Sequence, residues 1–133
     1  MTRPHGIHLT ADVHPTATIA PSADIGPDTF IGMGVRIKGD TVVGARSSIY
    51  DWTTIVGSVF ICRDVLIASC VSVDMGTVIW NGVEIVPGVT IGVGSYVGGN
   101  NRIGGDVAHL AVVPCPEFLG VVTRHALTTR SKP

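Results

Sequence analysis

The chain has 133 residues, 45% of them apolar but only 5% aromatic, with 17 Gly and a net charge of −1 from nine basic and ten acidic side chains. That length bounds it at one domain, and the near-neutral charge excludes the electrostatic footprint of a nucleic-acid or anionic-membrane binder. No apolar run reaches the about eighteen residues of a spanning helix, and Met1 to Gly6 lack the apolar stretch of a signal peptide, so a soluble cytoplasmic protein is expected.

After a short tail over 1–6, every sixth residue from Ile7 to Ile103 is Ile or Val, seventeen positions without a slip. A period of six is neither the 3.6 of a helix nor the 2 of a plain strand. It belongs to a chain that turns a corner every six residues and builds a coil from short strands. The fifth position of each hexapeptide is small or β-branched in most repeats, as at Ala23, Val35, Ser47 and Thr53. Turn-formers occupy the second to fourth positions, as in Ile25-Gly26-Pro27-Asp28, where Gly supplies the positive φ of a tight corner.

The runs Thr18 to Gly26 and Val86 to Ser95 resemble the hexapeptide-repeat family over 7–108. The resemblance implies an all-β, left-handed parallel β-helix in which three hexapeptides make one triangular coil of eighteen residues. Seventeen hexapeptides then give about five and two-thirds coils, and stacking at about 4.8 Å makes a prism roughly 27 Å long. Residues 109–133 leave this register. His109 to Pro116 reads as a turn with two prolines, and 117–129 suits a short helix or a strand equally. This C-terminal segment is expected to pack on its own prism or on a neighbour, with Arg130 to Pro133 frayed.

In such a coil the Ile or Val and the residue two before it point inward, and the residues flanking the Ile or Val point outward. The first face then presents Val42, Phe60, Cys62, Val78, Trp80 and Tyr96, a strip too apolar for a soluble monomer to leave bare. We read those six as an oligomer interface, and the resemblance implies a homotrimer with parallel prism axes. The second face is mixed, and the third, with Thr18, Arg36, Lys38, Thr54 and Asp74, reads as solvated. Asp28, Arg46 and Asp64 stack as a charge ladder at one corner, and Glu84 lies beside Arg102.

The resemblance further implies an acyltransferase using acyl-CoA or an acyl carrier protein at a cleft between subunits, with a His as general base. Residues 15–108 contain no His, so the usual mid-coil base is missing. His109 is the base candidate that remains, with Asp51 or Tyr50 as alternatives. The Tyr50-Asp51-Trp52 corner carries bulky groups where small ones are usual, and reads either as packing or as the wall of a ligand cleft. Tyr50, Trp52 and Arg102 are the ligand-binding candidates, and Arg102, Arg124, Arg130 and Lys132 are those for CoA phosphates. His5, His8, His14, His109 and His125 lack the spacing of a metal site on stacked coils, and no metal is expected. Cys62, Cys70 and Cys115 have neither metal-type spacing nor an even count for a disulfide framework. Two other functions compete with acyl transfer: a non-catalytic trimeric scaffold or assembly subunit, and a biosynthetic enzyme that has reused the interface cleft.

Overall fold

The computed structural model describes residues 6–115. They form an all-β parallel solenoid of about six turns, consistent with a left-handed β-helix. Seventeen two-residue strands, β1 to β17 in chain order, fall into three sheets. The first sheet stacks β3 (Asp24–Ile25), β6 (Val42–Val43), β9 (Phe60–Ile61), β12 (Val78–Ile79), β15 (Tyr96–Val97) and β17 (Val112–Val113). The second stacks β1 (Asp12–Val13), β4 (Phe30–Ile31), β7 (Ser48–Ile49), β10 (Leu66–Ile67), β13 (Glu84–Ile85) and β16 (Arg102–Ile103). The third stacks β2 (Thr18–Ile19), β5 (Arg36–Ile37), β8 (Thr54–Ile55), β11 (Ser72–Val73) and β14 (Thr90–Ile91).

The six-residue period has a direct physical basis here. Each strand pairs in parallel with residues eighteen further on, as Phe60 with Val78 and Ile61 with Ile79. Identical inward positions therefore stack, and Ile31, Ile49, Ile67 and Ile85 are all fully buried. The fifth position is buried in most repeats too, Ala17 and Asn101 being only partly so, which explains its bias to small or β-branched residues: it fills the tapering corner of a triangle. Polar residues there are satisfied within the stack. Thr53 Oγ1 donates to the Ala68 carbonyl at 2.8 Å and accepts the Val71 N–H, and Ser47 Oγ donates to the Cys62 carbonyl at 3.0 Å. Among the described residues no buried side-chain polar atom lacks a hydrogen-bond partner.

The winding does not stop at 108. Ile91 bridges to Val107, sixteen residues on, and Tyr96 pairs with Val112, whereas Glu84 still pairs with Arg102 at the regular eighteen. The last coil has lost two residues at one corner. Val107, expected at a fifth position, takes an inward strand place instead, and the expected turn after His109 contains β17. The Thr90 amide, whose equivalents Thr54 and Ser72 donate to backbone carbonyls, is met instead by Asp106 Oδ1 at 2.8 Å, and His109 Nδ1 accepts the Val93 N–H at 2.8 Å as Asp51 accepts that of Met33. The segment read as helix or strand over 117–129, and its packing partner, lie outside the described residues. No helix among the described residues is long and apolar enough to cross a membrane.

Candidate functional site

The first sheet carries the apolar strip. Its outward residues are those flanking the buried Ile or Val, so Phe60, Trp80 and Tyr96 stand on the surface at 41%, 38% and 39% exposure, and Val112 extends the strip at 70%. Their rings form a continuous ladder. Phe60 meets Trp80 edge-on with centroids 6.2 Å apart, and Trp80 meets Tyr96 at 6.2 Å with a 57° tilt. Gly44 lies within the strip because the next coil presses on it: a Cβ there would meet the backbone carbon of Cys62 at 2.6 Å and the amide nitrogen of Arg63 at 2.7 Å. All six expected interface residues share this sheet. Cys62 differs from the others in being buried, and burial pushes its thiol above the ordinary range, which Arg63 only partly opposes. It is therefore poorly suited to act as a nucleophile.

Two cavities of about 570 Å³ and about 430 Å³ open along the strip. Trp80, Tyr96, Val112, Asn81, Asn100 and Cys115 wall the larger. Val42, Phe60, Cys62 and Arg63 wall the smaller, which shares Trp80 and Asn81 with its neighbour. The combined trough is mostly aromatic and aliphatic, with the two asparagines as its polar edge. Sequence reasoning missed Asn81, Asn100, Val112 and Cys115. The signal was present in the pair Val112-Val113, a strand remnant that a strict eighteen-residue register conceals.

The candidate catalytic groups do not meet in this trough. His109 sits on the turn between Val107 and β17, where its Nδ1 accepts the Val93 N–H. A neutral ring accepting at Nδ1 carries its proton on Nε2, so its one lone pair is already engaged. His8 and His14 are held alike, their Nδ1 atoms accepting from the amides of Thr10 and Thr16 at 3.1 Å. His5 and His125 lie outside the described residues. Among the described residues no three His, Cys, Asp or Glu side chains gather as metal ligands.

Tyr50, Asp51 and Trp52 occupy the opposite edge of the prism, where the second sheet turns into the third. Tyr50 packs on Phe30 with ring centroids 5.5 Å apart. Asp51 Oδ1 accepts the Met33 N–H at 2.9 Å, which makes it a corner cap of the coil below. Trp52 has φ of 64°, a left-handed conformation that costs a bulky residue about 1–2 kcal/mol. Its indole lies over Gly34, where a Cβ would strike the ring. Arg102 is on β16, remote in the stack from Tyr50, and faces Glu84 at 3.9 Å. The proposed ligand set of Tyr50, Trp52 and Arg102 is therefore not one site. Arg124, Arg130 and Lys132 lie outside the described residues. The expected charge ladder is present, with Arg46 donating to both oxygens of Asp64 at 2.9 and 3.2 Å.

No protein-family model and no curated protein matches the chain. Solved structures do. The acetyltransferase domain of PglB from Neisseria gonorrhoeae FA1090 superposes with a TM-score of 0.74 at 19% identity, over 75% of this chain and 49% of that one. Perosamine N-acetyltransferase from Caulobacter crescentus, solved with CoA and GDP-perosamine, gives a TM-score of 0.41 at 25% identity, over 81% of this chain and 54% of that one. A hexapeptide transferase family protein from Anaplasma phagocytophilum gives 0.45 at 20% identity, over 92% and 93%. The chain spans about half the length of the first two. The six-residue repeat and the superposition on the gonococcal domain together show a chain with a hexapeptide repeat wound into the parallel β-solenoid fold of that domain.

Proposed function

We propose that the chain is an acyltransferase-type subunit that assembles through its first sheet and receives an acyl thioester in the trough beside Trp80. The observation that carries this reading is the trough itself: two adjoining cavities, walled by Trp80, Tyr96 and Phe60, on the face that solvent least favours. A fold shared with an acetyltransferase domain supports the same class of chemistry. A second copy laid against this sheet would cover the strip and roof the cavities. A homotrimer with parallel axes does this three times over and leaves no apolar sheet bare.

The walls suit the uncharged arm of acyl-CoA or of an acyl carrier better than its phosphates, since Arg63 is the one cation among the described residues that line the trough. In the reaction the acceptor attacks the thioester carbonyl, the carbon–sulfur bond breaks, and the departing thiolate takes up the acceptor's proton. Among the described residues no imidazole is free to take that proton beforehand. An amine, nucleophilic once neutral, therefore fits this site better than a hydroxyl, which needs a positioned base.

Calorimetric titration with CoA and acetyl-CoA, with the oligomer mass measured by light scattering in the same sample, tests the reading. Saturable binding by a trimer at one site per chain supports it. An intact trimer that binds neither ligand would favour a non-catalytic assembly subunit, the reading to which the tied ring of His109 lends weight.

A further inference from the structure

A second cleft, of about 390 Å³, lies on the third sheet beside the Trp52 corner. Two short ladders make it. Gly34 and Trp52 supply the corner side, and Thr18, Arg36 and Thr54 stand outward on β2, β5 and β8 as the floor. Met33 closes one end. Trp52 is 59% exposed, stands on a left-handed corner and lines the cleft with its indole over Gly34. Arg36 makes no ion pair among the described residues. The hydroxyls of Thr18 and Thr54 have no side-chain hydrogen bond there either, whereas Thr16 is already committed to the Gly34 N–H and to His14. Asp51, the carboxylate beside Trp52 in sequence, is bound to Met33 and does not line the cleft.

We infer that this cleft binds a small aromatic carboxylate, its ring against the indole of Trp52 and its carboxylate on the Arg36 guanidinium. A guanidinium is matched in charge and fork geometry by one carboxylate. Arg36 is the one cation among the described residues that line the cleft, so a monoanion is neutralised and a phosphate dianion is not. Thr18 and Thr54, one coil below and one above Arg36, can donate to the carboxylate's remaining lone pairs. An aromatic face set opposite a charged group selects for a flat ring over an aliphatic one of equal size. The volume falls at the small end of ligand pockets. The edge between the second and third sheets is the one opposite the first sheet in a triangular coil, and the cleft shares no residue with the trough on the apolar strip. Its occupancy is thus independent of the acyl-transfer reading.

Benzoate is the probe. It is titrated into the full chain while the two indole N–H signals are followed by NMR, the Trp52 signal being assigned with Trp52→Phe. Saturable movement of the Trp52 signal at millimolar benzoate is expected, with a weaker response to cyclohexanecarboxylate and none to benzyl alcohol. Arg36→Gln, at an exposed strand position, should weaken binding by about tenfold or more while Arg102→Gln leaves it unchanged. Failure of the Trp52 signal to move would overturn the proposal. So would equal binding by Arg36→Gln, or tighter binding of phenyl phosphate than of benzoate.

Discussion

His109 Nδ1 accepts the backbone N–H of Val93 at 2.8 Å, across the coil that is two residues short. The imidazole therefore completes the hydrogen bonding of the coil below. His109→Ala should lower stability by about 1 kcal/mol, the worth of one hydrogen bond, and leave CoA binding unchanged. Thermal unfolding and calorimetry check both halves. A variant as stable as the parent that had lost only turnover would restore His109 as the base.

The stacked interior sets the largest mutational effects. Ile67, fully buried between Ile49 and Ile85, should cost about 2–5 kcal/mol when cut to Ala, because the rigid rungs above and below limit collapse of the cavity. Ile55→Asp places a carboxylate at the same depth and should abolish cooperative folding. Chemical denaturation of the first and circular dichroism of the second are the measurements, and a cooperative Ile55→Asp variant would refute the inward assignment.

On the first sheet the same substitution has a different expected outcome. Phe60 and Trp80 are exposed on the single chain, so Phe60→Asp or Trp80→Asp leaves the coil folded and places charge where a second copy would sit. Light scattering should report a fall in mass with circular dichroism unchanged. Retention of the parent mass would remove this sheet from the interface.

Acid should weaken the corner that joins the first and second sheets. Arg46 donates two hydrogen bonds to Asp64 and holds its carboxyl below the ordinary carboxylate range. A carboxylate lowered in the folded state contributes stability that is complete above its unfolded pKa and fades as pH falls through the folded one. The loss therefore falls below about pH 4, and Asp64→Asn should lower stability slightly at neutrality, where the pair is intact, and flatten its fall in that window. Both groups are exposed, so the effect is small, and parallel melts at pH 7 and pH 3 would measure it. A melting temperature that drops equally in both proteins would remove the pair from the acid response.

Gly44→Ala tests how closely the coils approach at that corner. The added methyl would meet the backbone of Cys62 and Arg63, neither of which can move without disturbing the ladder. A cost of about 1–3 kcal/mol is expected. Gly88→Ala is the comparison, since nothing stands within reach of a Cβ there and the expected penalty is that of its positive φ alone. Equal melting temperatures for Gly44→Ala and the parent protein would show that the corner is looser than it stands here.

The prism and its three faces were legible because one residue in six is repeated without interruption, so a single register places every side chain from Ile7 to Ile103. Phe60, Trp80 and Tyr96 could be put on one strip by arithmetic alone. The arithmetic failed where the period changed. Nothing in Gly104-Gly105-Asp106-Val107 announces a coil of sixteen, because Val107 looks as acceptable at a corner as on a strand. That hid β17 and the larger cavity it walls. The second cleft was hidden for another reason. Arg36 and Thr54 belong to a face that reads as solvated, and the side to which Trp52 leans depends on the φ of one residue and the bareness of Gly34 below it.

The shortened last coil ends in Pro114. Every rung of the first sheet donates N–H toward the C-terminal end, Trp80 to Val97 and Gly98 to Val113. Each end of such a column presents both N–H and C=O groups, as any parallel strand edge does, and an unguarded column could lengthen into a filament by joining head to tail. Pro114 stands where Trp80 and Gly98 stand in the coils below, and a proline has no hydrogen to give. Among the described residues the column thus withholds, at its last rung, the donor that the rungs below supply.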